Sequence, residues 1–139
     1  MKIYLYKKKV EELQEKGAKS FVYVMGFYNL SEIFGVKIGK SDNPYKRAKQ
    51  IFRYEDYTRK DFFMYIIPVY KDFLVYRVEE LAEYFARRKE TFNPRSIEGY
   101  KIQEKLIYMR SGYTERYGVT PKQALGMVVM ARNQLELKY

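Results

Sequence analysis

The 139-residue sequence contains no cysteine and no histidine, and each zero removes a class of chemistry. Without them there is no zinc site of the Cys/His kind, no thiol nucleophile, no histidine general base and no Ser-His-Asp triad. Nuclease types built on histidine fall with them. No disulfide framework can form, so nothing directs the chain to an oxidising compartment. No apolar run approaches the roughly 18 residues that a membrane span needs, and the apolar stretch near Met1 is too short for a signal peptide. Prolines number four and glycines eight, and they form no linker, repeat or low-complexity tract. The expectation is an intracellular, non-secreted chain, free of membrane contact and long enough to bury its own core.

What is present is positive charge: 27 Lys and Arg stand against 17 Asp and Glu, for a formal charge of +10. The surplus is uneven. Residues 36–60 hold eight bases and three acids, and the bases Lys37, Lys40, Lys46, Arg47, Lys49, Arg53, Arg59 and Lys60 are interleaved with Tyr45, Phe52, Tyr54 and Tyr57. Clustered cations neutralise phosphates and release counterions, and flat aromatics stack on unpaired bases. This pattern points to nucleic acid as the partner, with DNA and RNA both open. A face that is basic only for solubility is the plain alternative. The 16 tyrosines decide little, because tyrosine is also core material.

Periodicity supplies the elements. Residues 7–16 read as a helix with Tyr6, Val10 and Leu13 on one face and Gly17 as its stop. Phe21 to Met25 and Gly35 to Gly39 read as strands separated by a loop over 26–34. Ser41-Asp42-Asn43-Pro44 supplies cap residues and a first-turn proline for a helix that turns Tyr45, Ala48, Ile51 and Phe52 inward. Phe62 to Tyr70 is a strand whose Pro68 suggests an edge. Residues 73–89 are the clearest amphipathic helix, with Leu74, Val78, Leu81 and Phe85 in its stripe. Two further helices are expected, one through Ile102, Leu106, Met109 and Tyr113, the other capped by Thr120, Pro121 and Gln123 with Ala124, Met127, Val128, Ala131 and Leu135 apolar. That last pair could pack as core or present a helix-turn-helix to DNA. The order is β-β-α-β-α on a helical preface, with a helical tail.

A nuclease without histidine must activate water with tyrosine, lysine or a metal-bound carboxylate, and must offset phosphate charge with cations. The acid-x-Lys pair of restriction-type folds occurs only as Glu136-Leu137-Lys138, outside any strand. A second set fits better: Tyr23 in the first strand, Lys37 in the second, Gly39-Lys40 after it, Arg47 one turn into the next helix, Glu79 on the amphipathic helix and Asn93 beyond it. These residues resemble the GIY-YIG nuclease superfamily. Phe21-Val22-Tyr23 stands in the place of the first motif and Lys37-Ile38-Gly39 in that of the second. The run Val36 to Pro44, followed by Arg47, is similar to the branch found in many phages and large DNA viruses, and the resemblance spans roughly residues 21–100. Two departures stand out. Phe21 and Val22 replace the first motif's Gly and Ile, and Lys37 replaces the second motif's tyrosine, a change common in that branch.

The resemblance implies an α+β fold, a small three-stranded sheet flanked by helices over 20–100; the periodicity adds an N-terminal helical segment over 1–19 and a C-terminal helical pair over 101–139, an extension packed on the same domain. It implies a metal-dependent endonuclease that hydrolyses phosphodiester bonds in DNA. One Mg2+ or Mn2+ would sit at Glu79. Arg47 and Lys40 would offset charge on phosphorus, and Tyr23, with or without Lys37, would activate water, with Asn93 completing the site. Unperturbed tyrosine and lysine have pKa values near ~10 and ~10.4, so either base needs neighbouring cations or burial to work. Lys40, Ser41, Lys46, Arg47, Lys49, Arg53, Arg59 and Lys60 would meet the nucleic acid.

Each residue also has a plain reading. Arg47 and Lys40 are then solvated cations, Tyr23 a core residue, and Asn93-Pro94 a turn. Glu79 lies at i, i+4 from Glu83, a repulsion of about 0.2–0.5 kcal/mol that a cation would relieve, unless Glu83 simply pairs with Arg87. Two rival functions remain open. One is a degenerate member of the same fold that binds nucleic acid without cutting it. The other is a phage or viral module whose basic patch meets an acidic protein.

Overall fold

Val10 and Leu13 carry the first helix, α1 (Lys2–Glu15), into the core at 2% and 6% exposure, on the stripe that the spacing predicts. The structure, a computed structural model, describes residues 2–54, 61–105 and 116–139. Beyond α1 the chain turns at Gly17, whose φ of 99° lies where a Cβ is penalised. Strand β1 (Ser20–Phe27) follows, then a 3-10 turn at Tyr28–Leu30 and the single-turn helix α2 (Ser31–Phe34), where the sequence predicts only a loop. Gly35 leaves α2 at φ 81°, and a Cβ there would stand 2.5 Å from the Tyr117 carbonyl oxygen. Strand β2 (Val36–Ser41) leads to α3 (Pro44–Tyr54), which begins on Pro44 as expected.

The remaining elements are β3 (Phe62–Val69), a 3-10 turn at Asp72–Leu74, α4 (Val75–Lys89), α5 (Ile97–Lys105), β4 (Arg116–Tyr117) and α6 (Pro121–Lys138). Of the helix expected through Ile102, the residues Leu106, Met109 and Tyr113 lie outside the described ones. The capping box of α6 is present: the Thr120 hydroxyl accepts from the Gln123 N–H and the Gln123 side chain accepts from the Thr120 N–H.

The fold is α+β, and its sheet is antiparallel throughout with the order β3-β1-β2-β4. The expected three strands therefore become four. The added strand is only two residues long, pairing Val36 with Tyr117 and Lys37 with Arg116. Two residues leave no period to read in a sequence; packing against β2 makes the strand. β3 lies at the edge, where Pro68 lacks no ladder partner.

Side chains alternate across a strand, so the register sorts the sheet into two faces. Val22, Val24, Val36, Ile38, Phe63, Ile67 and Val69 point to one face, where α4 and α6 cover them. Tyr23, Met25, Phe27, Phe62 and Met64 point to the other, with Ala48 of α3 and parts of α1 over them. On α4 the fully buried line is Val78, Ala82 and Ala86, shifted from the predicted stripe, in which Leu81 and Phe85 are only half-buried. Alanines replace bulk there because Ala124 and Ala131 of α6 pack against the same seam.

Two C-terminal helices are present, the described part of the first ending at Lys105. α6 packs on α4 and α5 packs on α2, so the two helices serve different neighbours. The apolar face of α6 is core, as the plainer of the two readings of that helix expects. Among the described residues no helix is long and apolar enough to cross a membrane.

Candidate active site and nucleic-acid interface

The register β1–β2 sets Tyr23 opposite Gly39, and the absent side chain at Gly39 is what accommodates the phenol. A Cβ at position 39 would lie 2.5 Å from both the Tyr23 Cζ and its hydroxyl oxygen. Lys37 sits two residues before Gly39, so it points to the same face as Tyr23, opposite Met25 on one side and Arg116 on the other. Both members of that second pair are buried, Lys37 at 5% exposure and Arg116 at 0%. Arg47 is half-buried on α3, the helix whose Ala48 covers the same face.

Lys40 alternates to the opposite face, where α4 packs. Its ammonium lies 3.8 Å from a Glu79 carboxylate oxygen and 5.4 Å from the centre of the Tyr76 ring. Glu79 borders the buried Val78 and keeps 17% of its side chain exposed. The six residues assigned to catalysis thus fall into three groups. Tyr23 and Lys37 share one face with the helix that carries Arg47, Lys40 and Glu79 meet on the other, and Asn93 stands apart in a turn. There Asn93 Oδ1 accepts from the Arg95 N–H at 3.0 Å and its carbonyl accepts from the Ser96 N–H. That is the turn geometry open to an Asn-Pro dipeptide.

Of the residues assigned to nucleic acid, Lys40, Lys46 and Lys49 are exposed. The Ser41 hydroxyl accepts from the Asn43 N–H at 3.0 Å and so shapes the entry to α3. Arg59 and Lys60, and the side chain of Arg53, lie outside the described residues. The Glu136-Leu137-Lys138 triplet is at the end of α6, where Glu136 accepts from the Tyr70 and Lys71 N–H groups and does not join a strand.

Glu79 can contribute one carboxylate to a hard divalent cation, the rest of whose shell would be water and phosphate oxygen. Among the described residues no group of three or more acidic or imidazole side chains gathers to form a closed metal cage. A single, mostly buried carboxylate beside a cationic surface can take part in holding Mg2+ or Mn2+ jointly with a phosphate.

Sequence reasoning misses the polar network at the β4 end. The Arg116 guanidinium donates to the Gln103 side-chain oxygen at 2.7 Å and to the Pro94 carbonyl at 3.0 Å, and lies 4.3 Å from the centre of the Phe34 ring. Glu83 accepts a short hydrogen bond from the Tyr117 hydroxyl. Arg87 lies over the Tyr117 ring and, with Arg95, reaches Glu90, which also accepts from the Gly118 N–H. A lone arginine in a polar stretch gives no sign that it will be enclosed. No family model, curated protein or solved structure matches the chain.

Proposed function

We propose that the chain is a divalent-metal-dependent endonuclease that hydrolyses phosphodiester bonds in DNA. The observation that carries this reading is the Lys40–Glu79 pair. One partner comes from the end of β2 and the other from the seam of α4, both were assigned to catalysis by their residue pattern, and they meet at 3.8 Å. The close fit of Tyr23 on Gly39 adds support, because it holds a phenol beside the strand segment that ends in Lys40.

On this reading Arg47 and Lys40 bind the scissile phosphate and offset the charge that builds on phosphorus. Tyr23 and Lys37 point to the face opposite Lys40 and Glu79, so the proton of the attacking water would fall to Tyr23, whose phenol lies against Gly39 next to Lys40, with Lys37 behind it. A bound divalent cation would polarise the phosphate and stabilise the leaving oxygen. Glu79 is the residue that would hold it.

A second reading has its own observation. Lys37, which stands where the resemblance would place a tyrosine, is only 5% exposed and faces Arg116. A base enclosed in this way favours a domain of the same cations that binds nucleic acid without cutting it. Incubation with supercoiled plasmid plus Mg2+ or Mn2+ separates the two, with Arg47→Ala as control. Nicking that Arg47→Ala abolishes, in a folded protein, supports the enzyme. If the wild type never cuts duplex, single-stranded or branched DNA, the enzyme reading is lost and the binding one stands.

A further inference from the structure

A cleft of about 220 Å³ opens between α1 and the start of α3, away from the Lys40–Glu79 pair. Lys7 and Glu11 line it from α1, and Tyr45, Lys46 and Lys49 from α3, over the buried Val10. Three lysines and one carboxylate thus border the same cleft. The single ion pair among them, Lys7 to Glu11 at 3.9 Å, joins two side chains that are each about half exposed. Pairs of that kind contribute little, so Glu11 does not cancel the cleft's charge. Lys49 is held over the ring of Tyr45, 5.3 Å from its centre, which keeps its charge at the rim.

Size narrows the occupant. Sites for whole small molecules run to roughly 300–1,000 Å³. The cleft is smaller and suits one compact anionic group. We propose that it holds a backbone phosphate of the bound nucleic acid, separate from the scissile one, with Lys7, Lys46 and Lys49 as its cations. The inference rests on the nucleic-acid reading above and assigns to α1, which lies outside the nuclease-like segment, a direct part in gripping the strand. Continuity supports it: Lys46 and Lys49 belong to the densest basic stretch of the chain, and Lys40 to Asn43 lead from the candidate active site directly into α3.

The experiment compares two triple variants that lose equal charge. One is Lys7→Gln, Lys46→Gln and Lys49→Gln; the other is Lys8→Gln, Lys9→Gln and Lys16→Gln, exposed positions that do not line the cleft. Labelled single- and double-stranded DNA is titrated from low to physiological salt. The general field falls equally in both variants, so a difference reports short-range contact. The cleft variant should lose about 0.9 from the log–log salt slope for each duplex phosphate contact removed, and the control should keep most of its slope. Equal slopes in the two variants overturn the cleft assignment while a steep wild-type slope preserves nucleic-acid binding. A flat wild-type slope overturns both. Lysine acetylation of the wild type, read by mass spectrometry with and without DNA, gives the same answer without any variant. Protection of Lys7, Lys46 and Lys49 beyond that of Lys8, Lys9 and Lys16 is expected, and uniform labelling overturns the proposal.

Discussion

The Lys40 ammonium sits 3.8 Å from the Glu79 carboxylate and ties the end of β2 to α4. A cation arriving at Glu79 must displace that ammonium, and the displaced lysine is then available to phosphate. A part-exposed pair of this kind is worth about 0–1 kcal/mol, which a divalent ion can overcome. Lys40→Ala should therefore tighten Mn2+ binding to the free protein by up to about fivefold while weakening cleavage and DNA binding. Mn2+ titration followed by paramagnetic resonance measures the first effect and plasmid nicking the second. Mn2+ affinity weakened by Lys40→Ala, or left unchanged by Glu79→Gln, would remove Glu79 as the ligand.

Glu79→Gln keeps the shape of the side chain and removes its anion. From sequence alone the change relieves repulsion from Glu83 and gains a few tenths of a kcal/mol. The structure reverses the sign, since Glu79 pairs with Lys40 and Glu83 is engaged by the Tyr117 hydroxyl. A loss of about 0–1 kcal/mol is expected, with metal-dependent nicking abolished and DNA binding at least as strong as in wild type. Retained nicking contradicts the assignment, as does a stabilised protein for the ion pair.

Arg116 is enclosed completely, and its guanidinium serves Gln103, Pro94 and, at 3.4 Å, the Phe34 carbonyl. Arg116→Ala strands those acceptors, each costing about 1–3 kcal/mol, so a loss of about 3 kcal/mol or more is expected in denaturant melts. Arg116→Lys should rescue little, because one ammonium cannot reproduce a planar fork that reaches several oxygens. A lysine variant of wild-type stability would show that charge alone suffices.

Tyr6 and Tyr65 should make stability fall at high pH. Burial pushes the Tyr6 phenol up to about 12. The hydrogen bond to Tyr28 does the same for Tyr65, which also rises to about 12. Both lie above the usual 10.0, so the folded state favours the protonated phenols. Their contribution is complete below pH 10 and is lost as pH rises from 10 toward 12, where the unfolded chain ionises first. Thermal melts across that window should show the decline, and Tyr6→Phe should flatten part of it. A melting point constant through the window would contradict the burial of Tyr6.

The elements with a strong period were legible in the sequence: the Val10–Leu13 face of α1, the strands around Tyr23 and Ile67, and the Thr120 capping box of α6. Local chemistry specifies each of them. β4 and the enclosure of Arg116 were not legible, because they depend on α2, α5 and the turn at Pro94 converging on one side chain. The candidate site was half legible. The motif resemblance singled out Lys40 and Glu79, and the fold brings their side chains within 3.8 Å of each other. Strand alternation, which spacing alone does not reveal without a register, puts Tyr23 and Lys37 on the other face.

The fit of Tyr23 against Gly39 supplies a test of the site that does not depend on any metal. A methyl group at position 39 would lie 2.5 Å from the far end of the phenol, and Tyr23 is only 4% exposed, so the ring has little room to yield. Overpacking of this kind costs about 1–3 kcal/mol. Gly39→Ala should lower stability by that amount and, if Tyr23 acts on water, reduce nicking more than DNA binding, since the cations of α3 are untouched. The cause can be isolated by a double-mutant cycle. Tyr23→Ala destabilises by itself through lost burial, but it also removes the atoms that the new methyl group meets. The double variant should then cost less than the sum of the two single ones, by roughly the overpacking term. Strict additivity in denaturant melts would show that the ring and the glycine do not share this space, and Tyr23 would lose its place beside the end of β2.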